Sequence, residues 1–252
     1  LSDYLFGCIK KKEMKIFCIH GNFQTRRVWE PLVGRLREEI EDIEVITEDL
    51  YAKQFEGFDG WTEYFCNRVE SEANGEKSIL LGYSLGGRLA LHACVRRPDL
   101  WQAVVVAGAD PGLESEQDKS LQLDRDRNWA ERLKGEPLEK LADEWDEQPV
   151  FCGIKNQAPR NLGEMDPDRL SRQFEVFSKG LQENLVPELA NLKSPSVLFL
   201  SGEKDEKYQG IGETVAKSSP VVKAQVVADA GHRVPWENPE TFVQVLIDFA
   251  FG

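Results

Sequence analysis

The stretch Ser78 to Arg88 reads SILLGYSLGGR, and its reading decides the fold. Ser78 to Leu81 is a continuous apolar run of strand length. Gly82-Tyr83-Ser84-Leu85-Gly86 follows, matching Gly-x-Ser-x-Gly. Leu85 to Val95 then has helical spacing, stopped before Pro98. A serine held in a tight strand-to-helix turn projects its Oγ over the sheet edge. Gly82 and Gly86 leave room for neighbouring backbone, and the helix N-terminus favours developing negative charge. The motif alone is a weak signal. A buried strand before it and a helix after it make Ser84 a candidate nucleophile rather than an idle turn residue.

Working outward, the same alternation repeats on both sides. Lys15 to Ile19, Glu44 to Thr47 and Ala103 to Ala107 read as strands. Thr25 to Glu39 has the spacing of a helix, and Asp59 is placed to cap another through Trp61, Phe65 and Val69. After a long interruption, Ser196 to Leu200 and Ala224 to Val227 resume the strands, with a helix from Tyr208 to Lys217 between them. Asn238-Pro239-Glu240 opens the last helix with a cap residue, a proline at its first position and an early acid. This pattern predicts an α/β fold: a mostly parallel sheet with helices on both faces. From Gly112 to about Leu192 the chain is charged and helix-like, without a convincing strand. The expected organisation is therefore a core of residues 14–111 and 193–252 with a helical cap, 112–192, inserted between its halves.

A nucleophilic serine needs a base and an orienting acid. The chain has three histidines. His92 lies within the helix after Ser84 and reads as structural. His20 follows the first strand and is expected to shape the loop beside the nucleophile. His232 follows the last strand on a loop, where a general base belongs. Asp205, in Gly202-Glu203-Lys204-Asp205, is the expected acid; Glu203, Glu206 and Asp110 are its rivals. The order Ser84, Asp205, His232 fits the α/β-hydrolase template. The backbone N–H groups of Leu85 and Asn22 would form the oxyanion hole.

Lys plus Arg total 31 against 44 Asp plus Glu, a net charge of −13. That balance disfavours nucleic acid and anionic membrane as partners, but not a small anionic substrate met by locally placed arginines. No apolar run approaches the ~20 residues of a membrane span. No zinc-ligand pattern, phosphate loop or dinucleotide fingerprint occurs, so neither metal nor cofactor is implied. The five cysteines, Cys8, Cys18, Cys66, Cys94 and Cys152, form no Cys-x-x-Cys pair and read as reduced, buried thiols of a cytoplasmic protein. Leu1 to Lys12 carries its apolar residues before its basic ones, the reverse of a secretory signal. Met14 directly precedes the first strand, and residues 1–13 are read as an extension.

The chain resembles the α/β-hydrolase fold family, and within it the 2-succinyl-6-hydroxy-2,4-cyclohexadiene-1-carboxylate synthases of menaquinone biosynthesis. His20-Gly21, Gly82 to Arg88, Gly202 to Asp205 and Ala230-Gly231-His232 are shared with many hydrolases. Gly108 to Leu113, Asp126 to Ala130, Glu136-Pro137-Leu138 and Trp145-x-x-Gln148-Pro149-Val150-Phe151 resemble the synthases more narrowly. The resemblance implies a lyase that eliminates pyruvate from 2-succinyl-5-enolpyruvyl-6-hydroxy-3-cyclohexene-1-carboxylate. It implies Ser84, activated by His232, as the base. It also implies Arg88, Arg127, Tyr83 and Trp145 at the substrate, with Arg160 as a further cap arginine and Arg169 and Arg172 as alternatives. Guanidinium groups suit a polycarboxylate because each binds a carboxylate as a two-pronged fork. Two departures stand out. The Asp-x-Pro-Gly segment common after the second strand reads Asp49-Leu50-Tyr51-Ala52, and Asn22 replaces the usual aromatic residue after His-Gly. A carboxylesterase or another serine hydrolase of the same fold is the alternative that these departures favour.

Overall fold

The computed structural model describes residues 14–252. The expected extension 1–13, with Cys8, lies outside the described residues. The scaffold opens with β1 (Met14–Ile19), α1 (Glu30–Glu39), β2 (Ile43–Glu48), α2 (Phe58–Ala73), β3 (Ser78–Tyr83), α3 (Leu85–Arg96) and β4 (Trp101–Ala107). Four helices follow: α4 (Glu116–Leu133), α5 (Leu138–Asp146), α6 (Pro167–Val176) and α7 (Val186–Asn191). The alternation then resumes with β5 (Ser196–Gly202), α8 (Glu206–Ser218), β6 (Val222–Val227), α9 (Val234–Glu237) and α10 (Pro239–Phe251).

The six strands form one sheet in the order β2-β1-β3-β4-β5-β6, every neighbouring pair parallel. Alternate residues of each strand face opposite sides, so the apolar strands feed two cores. Phe17, Leu80, Val104 and Phe199 pack with α2 and α3 on one face. Ile16, Leu81, Val105 and Leu200 pack with α1 and α10 on the other. β3 and β4 lie at the centre of the sheet, and β3 is buried along its whole length. Ser84 at its C-terminal end is thereby fixed to the most constrained part of the molecule.

Three local expectations change. The first helix starts at Glu30, after a separate 3-10 turn over Arg26–Trp29. Pro31 lacks the N–H that would bond the Arg27 carbonyl, so a continuous α-helix from Thr25 is interrupted. Asp59 is not the cap of α2. Gly57 precedes that helix, and Phe58 starts it so as to join the core. Asp59 sits in the first turn and pairs with Arg96 at 2.7 Å. α7, expected within the cap, packs on the scaffold: Leu185, Leu189 and Leu192 belong to the same core as Val197 and Val215.

The helices α4 to α6 have a core of their own. Ala130, Leu133, Leu141, Leu170 and Phe174 cluster there with Phe23 and Tyr51, two residues that come from scaffold loops. Phe23 stacks on Trp145 with centroids 5.0 Å apart and meets Trp129 and Phe174 edge-on. The cap is thus seated on the loops after β1 and β2. No helix among the described residues is long and apolar enough to cross a membrane.

Candidate active site

The turn after β3 places Ser84 at φ 52°, ψ −111°, the only residue between Ser78 and Cys94 that is not buried. Its N–H donates to the Ala107 carbonyl of β4 at 2.9 Å, and its carbonyl accepts the Arg88 N–H at 3.0 Å. The strain of a positive φ at a serine is held by close packing beneath it. A Cβ on Gly86 would fall on the Ile19 carbonyl, and one on Gly82 on the Gly86 carbonyl. Leu85 begins α3, so its N–H has no helical acceptor. Among the described residues, neither it nor the Asn22 N–H donates to a protein acceptor.

His232 arrives from the loop after β6. Its Nδ1 lies 2.7 Å from Asp205 Oδ2, and both side chains are about 3% exposed. Asp205 sits at the N-terminus of α8, where its Oδ1 also accepts the Tyr208 N–H at 3.5 Å. Two of the rivals are engaged elsewhere, while Glu206 lies on the cavity lining. Glu203 accepts the Asp229 N–H, and Asp110 accepts from Lys179 at 3.0 Å and from the Gly112 N–H. Tyr208, Tyr83 and Phe151 surround the His232 ring. Gly108, at φ 58°, passes directly beneath it; a Cβ there would stand 2.6 Å from the imidazole.

The other two histidines are buried and held neutral. Burial pushes the His20 pKa down to about 4, and its Nε2 accepts the Leu50 N–H at 3.4 Å. His20 also stacks on Tyr51, tying the loop after β1 to the one after β2. Here Tyr51 stands in the segment that lacks Pro-Gly, and it contributes to the cap core. His92 is lowered to about 4 by burial, then by Arg88, and stacks on Phe58 at 4.5 Å.

Ser84, Asp205 and His232 meet at a cavity of about 640 Å³ between the C-terminal ends of the strands and the cap. Asn22, Arg88 and Trp145 line it as well. Arg88 is buried, and its Nη1 donates to the Phe177 carbonyl at 2.8 Å and to Gln182 Oε1 at 3.3 Å. Tyr83 packs behind His232, against Trp236 and below Gly21, rather than in the cavity wall.

The expected cap arginines are placed differently. Arg127 is 70% exposed and pairs with Asp124, away from the cavity. The inner face of α4 carries Gln122, Arg125, Asp126 and Trp129 instead. These follow helical spacing, and a residue two beyond Arg125 points to the far side. Arg160 grips Asp146 through two hydrogen bonds of 2.9 and 2.8 Å and donates to the Phe23 carbonyl. Arg169 donates to the Tyr51 carbonyl, and Arg172 pairs with Glu56. Arg160 braces the cap, Arg169 and Arg172 tie it to scaffold loops, and none of the four lines the cavity.

The cysteine expectation also divides. Cys18, Cys66 and Cys94 are buried free thiols, with Cys66 and Cys94 pushed up to about 12 by burial. Cys152 is exposed on the cavity rim, its Sγ donating to the Lys204 carbonyl at 2.9 Å.

A family model described as "Alpha/beta hydrolase family" matches residues 16–245. The chain belongs to that family. Among relatives, a Photorhabdus laumondii protein named 2-succinyl-6-hydroxy-2,4-cyclohexadiene-1-carboxylate synthase is 34% identical over 188 residues. The match covers 71% of this chain and 66% of the relative, so the chain spans slightly less than two thirds of that protein's length. Among solved structures, MenH from S. aureus superposes with a TM-score of 0.83 at 22% identity, covering 95% of this chain and 94% of that one. A thermophilic esterase from Thermogutta terrifontis, solved with malate bound, gives 0.74 at 19% identity, over 93% and 88%. Likeness at these identities speaks for the α/β-hydrolase fold, with its parallel sheet and flanking helices.

Proposed function

We propose that this α/β-hydrolase-family enzyme is a carbon–oxygen lyase. It eliminates pyruvate from 2-succinyl-5-enolpyruvyl-6-hydroxy-3-cyclohexene-1-carboxylate to give 2-succinyl-6-hydroxy-2,4-cyclohexadiene-1-carboxylate. The observation that carries this reading is the 34% identity to a protein named for that synthase. The short Asp205–His232 contact at a cavity shared with Ser84 supports it.

In this reading, Asp205 keeps the His232 Nδ1 proton in place and leaves Nε2 free to act on the Ser84 hydroxyl. The activated Ser84 Oγ takes a proton from the ring. The electron pair shifts into the conjugated diene, the bond from ring carbon to enolpyruvyl oxygen breaks, and the departing enolate gains a proton to become pyruvate. The Leu85 and Asn22 N–H groups would face the negative charge that develops, each contributing about 3–4 kcal/mol. Arg88, one helical turn past Ser84, would hold a substrate carboxylate. The substrate is a small anion, and neither nucleic acid nor membrane enters the scheme.

The test is pyruvate release from freshly generated substrate, comparing wild type with Ser84→Ala because the substrate also decays unaided. Fast release that falls to the spontaneous rate in the variant is the expected result. Equal, slow release from both would remove this substrate. A second reading, a carboxylesterase for small anionic esters, draws on the missing Asp-x-Pro-Gly segment and on Arg127 turning outward. Robust turnover of simple esters, with no pyruvate formed, would favour it.

A further inference from the structure

Part of the cavity wall holds a concentration of positive charge. Arg88 reaches it from α3, Lys179 from the segment after α6, and Lys207 from the second residue of α8. Asp126, Asp205 and Glu206 line the cavity too, but among the described residues only Asp110 pairs with one of these lysines. Asp110 Oδ2 accepts from Lys179 Nζ at 3.0 Å, with both side chains largely buried. Among the described residues, Arg88 and Lys207 have no carboxylate within ion-pair distance, and Arg88 Nη2 and Nε make no hydrogen bond. Asp126, the acid whose charge acts most on Arg88, is held by Ser178 and Gln122. Two ammonium groups and a guanidinium thus share one cavity wall in a chain whose net charge is −13.

Like charges brought together at a partly dry surface raise the free energy of the empty site. That is visible in Lys207, whose pKa is pushed below the ordinary lysine value by burial and then by the charge of Lys179. Lys207 lies on the first turn of α8, exposed overall, with its ammonium 5.6 Å from the Tyr208 ring centre and, among the described residues, no paired carboxylate. A substrate carboxylate placed between Lys179 and Lys207 would offset the repulsion between them.

We propose that Lys179 and Lys207, together with Arg88, form a carboxylate-binding subsite of this cavity and set the preference for a polyanionic substrate. As the identity of a substrate-binding subsite, this rests on the lyase reading above. As a site for a dicarboxylate, it stands independently of the reaction. The lysines are substrate-positioning residues; proton transfer stays with Ser84 and His232.

Calorimetric titration of the full chain with succinate, and with its monoamide succinamate, tests the subsite without turnover. Wild type is expected to bind succinate more tightly than succinamate. Lys207→Gln should weaken succinate binding about tenfold and erase the preference, while Lys207→Arg keeps both. Lys179→Gln should act in the same direction. It also strips Asp110 of its partner, so Lys207→Gln, at an exposed site with no carboxylate to orphan, is the decisive variant. Unchanged succinate binding in Lys207→Gln would overturn the proposal. Parallel pyruvate-release assays separate the two readings. Lysine-dependent succinate binding without pyruvate release retains the subsite and removes the lyase. Pyruvate release with an unchanged KM in Lys207→Gln retains the lyase and removes the subsite.

Discussion

At Gly108 a methyl group would press on the His232 ring from a distance of 2.6 Å, and the backbone there has φ 58°. Gly108→Ala should leave the sheet folded and displace the imidazole. A shift of that size costs about 10²-fold in turnover. The rate of fluorophosphonate labelling at Ser84 would read it out, and a wild-type rate would remove His232 as the activating base. Asp205→Asn is a finer probe. The amide keeps an acceptor for the Tyr208 N–H of α8 but no longer fixes the imidazole tautomer. Activity should fall about 10⁴-fold with little change in melting temperature. Both residues were accessible to different degrees. Asp205 and His232 each follow a strand, and that local pattern alone made both candidates. Gly108 belonged to a family-like stretch, but nothing local marked its place under the imidazole, which comes from a loop more than 120 residues downstream passing over it.

Among the elements, α4 shows how a motif can be recognised and its facing missed. The resemblance over Asp126 to Ala130 located the helix, but Arg127 lies outside and Arg125 lines the cavity. Spacing from Trp129 held the missing signal: Asp126, Arg125 and Gln122 lie three, four and seven residues before it. Arg125→Ala should raise KM for an anionic substrate about tenfold, while Arg127→Ala leaves it unchanged. The reverse pattern in steady-state kinetics would reinstate Arg127. The cap is fastened by a second device. Arg233, next to His232 and 2% exposed, donates to Asp146 of α5 and lies over the Phe151 ring at 3.5 Å. Arg160 grips the same aspartate and the Phe23 carbonyl. Arg233→Met should cost about 1–2 kcal/mol, less than a fully buried pair, because Asp146 is partly exposed and keeps Arg160. A denaturant midpoint equal to wild type would show that the fastening is dispensable.

For the molecule as a whole, the two neutral histidines set an acid limit. His20 and His92 have folded-state pKa values near 4 against an ordinary 6.5. Well above pH 6.5 neither folded nor unfolded chain protonates them. Between about 6.5 and 4 the unfolded chain takes up protons that the folded one refuses, so stability falls as pH drops through that window. The shifts correspond to about 3 kcal/mol for each histidine, lost fully by pH 4. Melting temperatures measured from pH 7 to 4 should decline, and His92→Phe should flatten the decline. A melting temperature indifferent to pH over that range would contradict the burial argument for both rings.

The sequence by itself determined the alternation of strand and helix, the parallel sheet and the serine turn at its centre. Those rest on local rules: apolar runs of strand length, helical spacing, and glycines where only backbone fits. It also determined the α10 cap, where Asn238 Oδ1 accepts the Thr241 N–H as its cap role predicts. Only the tertiary structure decided which charges face the cavity. Arg127, Arg160, Arg169 and Arg172 are each equivalent in composition to a substrate-binding arginine, but packing of the cap assigns them to solvent or to cap contacts. Lys179 and Lys207, distant in sequence and without a motif, are brought to one wall by the return of the chain from cap to scaffold. Periodicity fixes what a residue does within its own element. Which side chains share a cavity depends on how elements far apart in sequence dock, and no local pattern encodes that.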